Sequence, residues 1–200
     1  MTRAEEEKGI GLLGGTFDPV HNGHLAIAQS FLESGYLAEL WLLLTPNPPH
    51  KTDQKLSDYD LRLEMSKAAF QDVEGVMVSD IEQQLPKPSY TIQTLRHLAD
   101  KYPTEKFYLC IGEDSLREFK QWKNWESILD YCELLVARRP ESNALELDPV
   151  ISQQTHFVDH DVVDISSTRI RRSVIKGQDI SSLVPSQVHH LIQHFNLYKN

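Results

Sequence analysis

Apolar positions cluster in short runs, and the stretches between them follow a longer period. The runs at residues 9–13, 40–45, 75–79, 106–111, 133–137 and 155–158 have the length and aliphatic character of strands. Between them, residues 24–33, 58–70 and 91–101 repeat apolar side chains at helical spacing. In the second of these, Leu61, Met65, Ala68 and Ala69 fall on one face. Residues 131–137 are apolar without alternation, as expected of a strand covered on both faces. Strands alternating with helices predict an α/β fold, a doubly wound parallel sheet with helices on both sides. Residues 166–199 hold two further helical stretches, broken near Gly177 and Pro185, which predict a small C-terminal helical appendage. The expected organisation is a sheet domain over residues 1–165 and a helical subdomain over 166–200. Ligands of such sheets bind beyond the carboxyl ends of the strands, so the chemistry is expected in the segments that follow each run.

Composition narrows the partners. The chain has 200 residues, 40% hydrophobic and 24% charged, an ordinary globular balance. Its formal net charge of −9 repels nucleic acid and anionic membrane, so neither is an expected partner. The longest apolar run, around residues 40–44, is too short to cross a bilayer. The first eight residues lack the basic start and apolar stretch of a secretion signal. The two cysteines, Cys110 and Cys132, lie in strand-like segments, which predicts buried free thiols and a reducing, cytoplasmic setting. No cysteine or histidine spacing suggests a zinc site. A phosphate ligand would need positive charge gathered locally, as at His50 with Lys51, Arg138 with Arg139, and Arg169 with Arg171 and Arg172.

The densest chemistry follows the first strand-like run: Gly14-Gly15-Thr16-Phe17-Asp18-Pro19-Val20-His21-Asn22-Gly23-His24. The paired glycines allow a sharp turn and close approach to a ligand, and the amides of Thr16 and Phe17 can face an anion. Asn22 is a plausible N-cap, which puts His24 in the first helical turn, where the helix end favours phosphate. His21 and His24 are spaced to share one side, and two imidazoles beside a polyphosphate suit charge stabilisation. Alone, such a pair reads as a solvated loop or an incomplete metal pair. At a strand-to-helix junction the phosphate reading prevails. The segment resembles the GGTFDPxHxGH signature of the HxGH nucleotidyltransferase superfamily, and most closely the bacterial nicotinate mononucleotide adenylyltransferase family. The resemblance implies a Rossmann-like fold, with His21 and His24 on the ATP phosphates and His24 important in the transition state.

A second motif, Ile165-Ser166-Ser167-Thr168-Arg169-Ile170-Arg171, reads by itself as a capped amphipathic helix with surface arginines, with Ser166 or Ser167 as cap. It also resembles the family's ISSTxIR signature. That implies Ser167, Thr168 and Arg171 on the leaving pyrophosphate, with Arg169 at a variable position. Residues Gly14, Gly15, Thr16, Phe17 and Gly112 complete the expected ATP site. On the acceptor side, Pro46-Asn47-Pro48-Pro49-His50-Lys51 is similar to the family's PNxxPPHK segment with two residues fewer, and brings His50 and Lys51 toward a phosphate. Pro88-Ser89-Tyr90-Thr91 looks like the family's PSYT segment, whose backbone helps hold the nicotinate carboxylate. By composition it is a helix start capped by Ser89 or Thr91. Ile111-Gly112-Glu113-Asp114 resembles IGxDS, with Asp114 toward ribose hydroxyls. Trp122 falls at the base-stacking position, while Trp125 is expected in the core. Lys123 stands where the family often has tyrosine, and adds positive charge suited to an acid. Asp18 is assigned to the acceptor side, on ribose or supporting the site from behind. Either Arg138 or Arg139 would line the adenosine side.

These readings predict AMP transfer from ATP to nicotinate mononucleotide, with Mg2+ bound mainly through ATP phosphates and no metal held by the protein itself. A phosphorylated acceptor is already anionic, so the chemistry needs positioning and charge neutralisation rather than a protein nucleophile. Rivals are a sister enzyme acting on nicotinamide mononucleotide or phosphopantetheine, and a non-catalytic nucleotide sensor on the same fold. A class I aminoacyl-tRNA synthetase relative would be longer and carry a KMSKS-like lysine loop. An NAD-binding oxidoreductase domain would carry GxGxxG after the first strand.

Overall fold

A computed structural model describes residues 8–48, 56–138, 146–161 and 163–199. Six strands form one sheet, β1 (Gly9–Gly15), β2 (Leu37–Leu44), β3 (Val76–Ser79), β4 (Phe107–Gly112), β5 (Glu133–Arg138) and β6 (Thr155–Asp159). Their order is β3-β2-β1-β4-β5-β6 and every pairing is parallel. The order reverses between β1 and β4, the switch point at which such sheets bind ligands beyond the strand ends. Gly14 and Gly15 at the end of β1 and Gly112 at the end of β4 flank that point.

Among the described residues, eight α-helices connect and cover the strands: α1 (Asn22–Glu33), α2 (Tyr59–Phe70), α3 (Thr91–Lys101), α4 (Glu113–Arg117), α5 (Trp125–Ile128), α6 (Pro149–Gln153), α7 (Ser167–Ile175) and α8 (Ser186–His194). β5 shows why its run lacks alternation. Leu134 and Val136 pack into the core on one face of the sheet, Leu135 and Ala137 into the core on the other, and all four are buried. The first core carries α3 with Leu116, Phe119, Ile128 and Ile151. The second carries α1 and α2, and takes in Ile170, Ile180, Val184, Val188 and Ile192 from the C-terminal segment. The helical appendage therefore shares its core with the sheet.

Three expectations about where elements start, one strand and two helices, need correction. β2 begins at Leu37, three residues before the predicted run, because Ala38 and Glu39 break the apolar pattern while the backbone already pairs with β1. α1 is capped by His21, not Asn22: His21 is extended (φ −152°, ψ 170°) and its carbonyl accepts from the His24 amide at 2.8 Å. Asn22 instead donates from its amide to Leu183 O and from Nδ2 to Ser182 O, each at 3.0 Å. α3 is capped by Tyr90 rather than Ser89 or Thr91, with the Tyr90 amide donating to Gln93 Oε1 at 3.4 Å. Both serine and threonine are common caps, so residue type alone did not decide between neighbours. The second motif does start as read, with Ser166 accepting from the Arg169 amide at 3.2 Å.

Candidate active site

The first motif leaves β1 and turns at Phe17, which takes a left-handed backbone (φ 45°) and buries its ring. That ring meets His24 edge-on, with centroids 4.9 Å apart. His21 and His24 stack with centroids 3.7 Å apart and planes 25° from parallel. Gly23 makes the stack possible: a Cβ there would sit 3.1 Å from two atoms of the His21 ring. The His21 amide donates to His24 Nδ1 at 3.2 Å. An accepting Nδ1 places the proton of the neutral His24 ring on Nε2, the nitrogen suited to donate to a phosphate oxygen.

The two histidines differ in environment. His21 is 6% exposed, and burial alone drives its pKa down to about 4. Its ring is therefore neutral at pH 7, and its Nδ1 is buried with no hydrogen-bond partner among the described residues. At pH 7 the buried His21 ring thus carries a dipole and no charge.

The second motif docks onto the first. Arg171 Nη1 donates to the Asp18 carbonyl at 2.7 Å, and Ser167 Oγ donates to the Pro19 carbonyl at 2.9 Å. Arg171 Nη2 also donates to Thr168 Oγ1 at 3.3 Å. A guanidinium has five N–H groups, so these two bonds leave donors for an anion. Arg169 turns away to Asp164, as its variable position suggests. The Asp18 side chain is 1% exposed, with Oδ2 accepting from the Ser57 amide at 3.1 Å and Oδ1 from the Tyr198 hydroxyl at 2.7 Å. Asp18 is thus held inside the fold with both carboxylate oxygens engaged.

Beside this edge opens a cavity of about 710 Å³. That volume fits a small ligand. Gly14, Gly15 and Thr16 form one wall, and Tyr90, Thr91, Gly112, Trp122 and Lys123 line others. A Cβ at Gly14 or Gly112 would meet nothing within 4 Å, so both glycines border open space. Trp122 is half-buried and packs against Phe119, with centroids 5.5 Å apart. Lys123 Nζ lies 4.1 Å from the centre of the Tyr90 ring. Asp114 is exposed in the first turn of α4 and is not among the lining residues; nor are His21, His24 and Arg171. Trp125 is half-buried against Phe119, partly out of the core expected for it. Arg138 leans on Phe157 and pairs with Asp159 at 3.5 Å. His50, Lys51 and Arg139 lie outside the described residues.

Sequence reasoning missed the floor of the cavity. Glu82, 7% exposed, accepts from Thr94 Oγ1 at 2.9 Å, and its Oε2 is buried without a hydrogen-bond partner among the described residues. Burial pushes its carboxyl above the usual range, against hydrogen bonds from Thr94 and Thr45. Ser89 Oγ is likewise buried and unpartnered. In the sequence Glu82 stands in Ile81-Glu82-Gln83-Gln84, a polar string with no periodicity to mark one member as internal. Buried polar atoms are rarely left unsatisfied, so such atoms beside a cavity suggest a polar ligand or water.

Residues 12–173 match the family described as Cytidylyltransferase-like. The chain is 42% identical over 194 residues to a Flavobacterium johnsoniae protein named "Probable nicotinate-nucleotide adenylyltransferase", covering 95% of this chain and 98% of that one. A Clostridium novyi protein of the same name is 36% identical over 199 residues, covering 94% and 98%. Among solved structures, the Plasmodium falciparum nicotinic acid mononucleotide adenylyltransferase complexed with NaAD superposes with a TM-score of 0.79 at 19% identity, covering 96% of this chain and 98% of that one. At that identity the likeness speaks for the fold.

Proposed function

The chain belongs to the cytidylyltransferase-like family and, within it, to the nicotinate-nucleotide adenylyltransferases, and from that premise we propose that it transfers AMP from ATP to nicotinate mononucleotide, forming the dinucleotide precursor of NAD and pyrophosphate. One observation carries the reading. The Gly14-Gly15-Thr16 turn is both a wall of the cavity and the start of the segment that holds His21, His24 and the docked Arg171. A mononucleotide with its ring in the cavity would bring its phosphate to this turn, where an ATP α-phosphate on the histidine side can meet it.

In this mechanism a phosphate oxygen of the mononucleotide attacks the α-phosphorus in line. One P–O bond forms and the bond to pyrophosphate breaks, so no protein nucleophile is needed. His24 Nε2–H donates to oxygen that gains charge, and the remaining Arg171 donors with Thr168 hold the departing pyrophosphate. Preorganisation comes from the ring stack and the Asp18 carbonyl, which fix both groups before substrate arrives. Mg2+, which would come with the substrate as MgATP, would be held by phosphate oxygens and water and would neutralise phosphate charge. The residues present fit that assignment: the His24 imidazole and the Arg171 guanidinium are donors suited to phosphate, while the Asp18 carboxylate is engaged by Ser57 and Tyr198.

Two features support finer points. Lys123 is the one lysine or arginine among the described lining residues, which favours the acid over the amide mononucleotide. Cys110 and Cys132 are buried free thiols, and burial pushes Cys132 up to about 12, so both are protonated and unreactive, in keeping with a cytoplasmic enzyme. The test is pyrophosphate release with MgATP and nicotinate mononucleotide, nicotinamide mononucleotide or phosphopantetheine in parallel. Release is expected fastest with the first. Silence with all three would replace this reading with that of a nucleotide sensor.

A further inference from the structure

The largest side chain sealed in the molecule is a cation that no motif marks. Arg62, in the first turn of α2, is 2% exposed. Its donors go to main-chain carbonyls: Nε to Ser57 at 3.1 Å, Nη1 to Thr16 at 2.7 Å and to Thr45 at 3.0 Å, and Nη2 to Pro46 at 3.5 Å. None of the ion pairs among the described residues includes it. Asp18 acts on it through space without pairing; burying a guanidinium outside any ion pair is costly, and an apolar side chain of similar volume would pack a core as well. What the guanidinium alone supplies is a rigid planar fork that reaches several carbonyls at once.

The identity of those carbonyls gives the fork its meaning. Thr16 belongs to the turn after β1, on the path to the histidines. Thr45 and Pro46 follow β2, and Thr45 lines the acceptor cavity with Thr16. Ser57 is held from its other side as well, by the Asp18 carboxylate on its amide. Arg62 therefore grips, from behind, segments whose front surfaces face the two proposed substrates. We infer that Arg62 is a positioning residue that fixes the spacing between the first-motif turn and the segment after β2, and so the distance over which the two substrates meet in line. The inference rests on the adenylyl-transfer reading.

In-line transfer is sensitive to such spacing, since a displacement of about 1 Å can cost on the order of 10²-fold in rate. The variants R62K and R62Q are compared with S66A. Ser66, fully buried in the same helix, donates from Oγ to the Arg62 carbonyl at 2.8 Å and has no hydrogen bond to the gripped segments. Thermal melts are followed by kcat and both KM values, measured well below each midpoint. S66A is expected to melt lower with kcat unchanged. R62Q is expected to lose at least about tenfold in kcat at saturation of both substrates, with R62K between it and the parent. Unchanged kcat in folded R62Q and R62K would overturn the inference. Failure of both to fold would do so too, because Arg62 would then be a strut of the core. An inactive parent protein would instead remove the adenylyl-transfer reading, and this inference with it.

Discussion

The two faces of the sheet meet at one carboxyl-end site but prepare it differently. On the face of α1 and α2, most polar groups around the two motifs are already engaged, with His21 Nδ1 and Tyr59 Oη the buried exceptions among the described residues. Arg62 has its carbonyls, Asp18 has Ser57 and Tyr198, and Arg171 has the Asp18 carbonyl. Most of these bonds join residues far apart in sequence, and the C-terminal segment closes over the first motif. On the face of α3 and α5 there is a cavity of about 710 Å³, with Glu82 Oε2 and Ser89 Oγ buried beside it and without partners among the described residues. The contrast suits the division of labour. Phosphates demand donors fixed in advance, because reorganising dipoles during transfer would raise the barrier. A nucleoside ring asks for a shaped space and a few polar atoms that it completes on binding.

If that division holds, damage on the two faces should show in different kinetic constants. The largest effect belongs to His24. In the proposed mechanism its Nε2–H serves charge that develops in the transition state, so H24A should lower kcat by about 10²–10³-fold, or ~2.7–4 kcal/mol. KM for the mononucleotide should change little, and circular dichroism should show a folded chain, since His24 is only half-buried. Turnover near the parent value would remove His24 from the chemistry and leave the engaged face a scaffold.

The same contrast governs what could be read from the sequence. All six strands, and the parallel alternation, follow from apolar runs; in β5 burial on two faces leaves a local trace from Leu134 to Ala137, while the edge strands β3 and β6 are only partly buried. Each end motif alone has an ordinary structural explanation; they were legible because the full strings, at a strand-to-helix junction and in order along the chain, resemble one family's signatures. Arg62 and Glu82 were not. In residues 58–70 the pattern puts Leu61, Met65, Ala68 and Ala69 on one face; Met65 and Ala69 are buried, but with Arg62, Ser66 and Phe70 rather than with Leu61 and Ala68. A charged side chain among apolar ones reads as the solvent edge of a helix. Only the carbonyls of distant loops reveal that it points inward. Tyr198 is similar, since a tail tyrosine gives no sign of its bond to Asp18 across the chain.

The engaged face should also betray itself in acid. His21 is neutral in the fold, with a pKa of about 4 against an ordinary value of 6.5. The unfolded chain therefore binds the extra proton between those values, and stability falls as pH drops through that window and is whole above it. The contribution is on the order of 3 kcal/mol at most. Denaturant midpoints measured from pH 7 to pH 4 should decline less steeply in H21Q than in the parent. Parallel declines would mean that the His21 ring is open enough to protonate in place.

The smallest effect is expected on the open face. Trp122 offers its ring to the cavity while resting on Phe119, and it is only half-buried, so truncation should leave the fold intact. Loss of an aromatic contact of this kind costs about 0.5–1.5 kcal/mol. W122A should therefore raise KM for nicotinate mononucleotide by up to about tenfold. KM for ATP and kcat at saturation should stay near the parent values, because stacking on a ring remote from the phosphates contributes equally before and during transfer. A matching rise in KM for ATP would show that the cavity serves both nucleotides. The division between the faces would then fail at its acceptor end, whatever the outcome at His24.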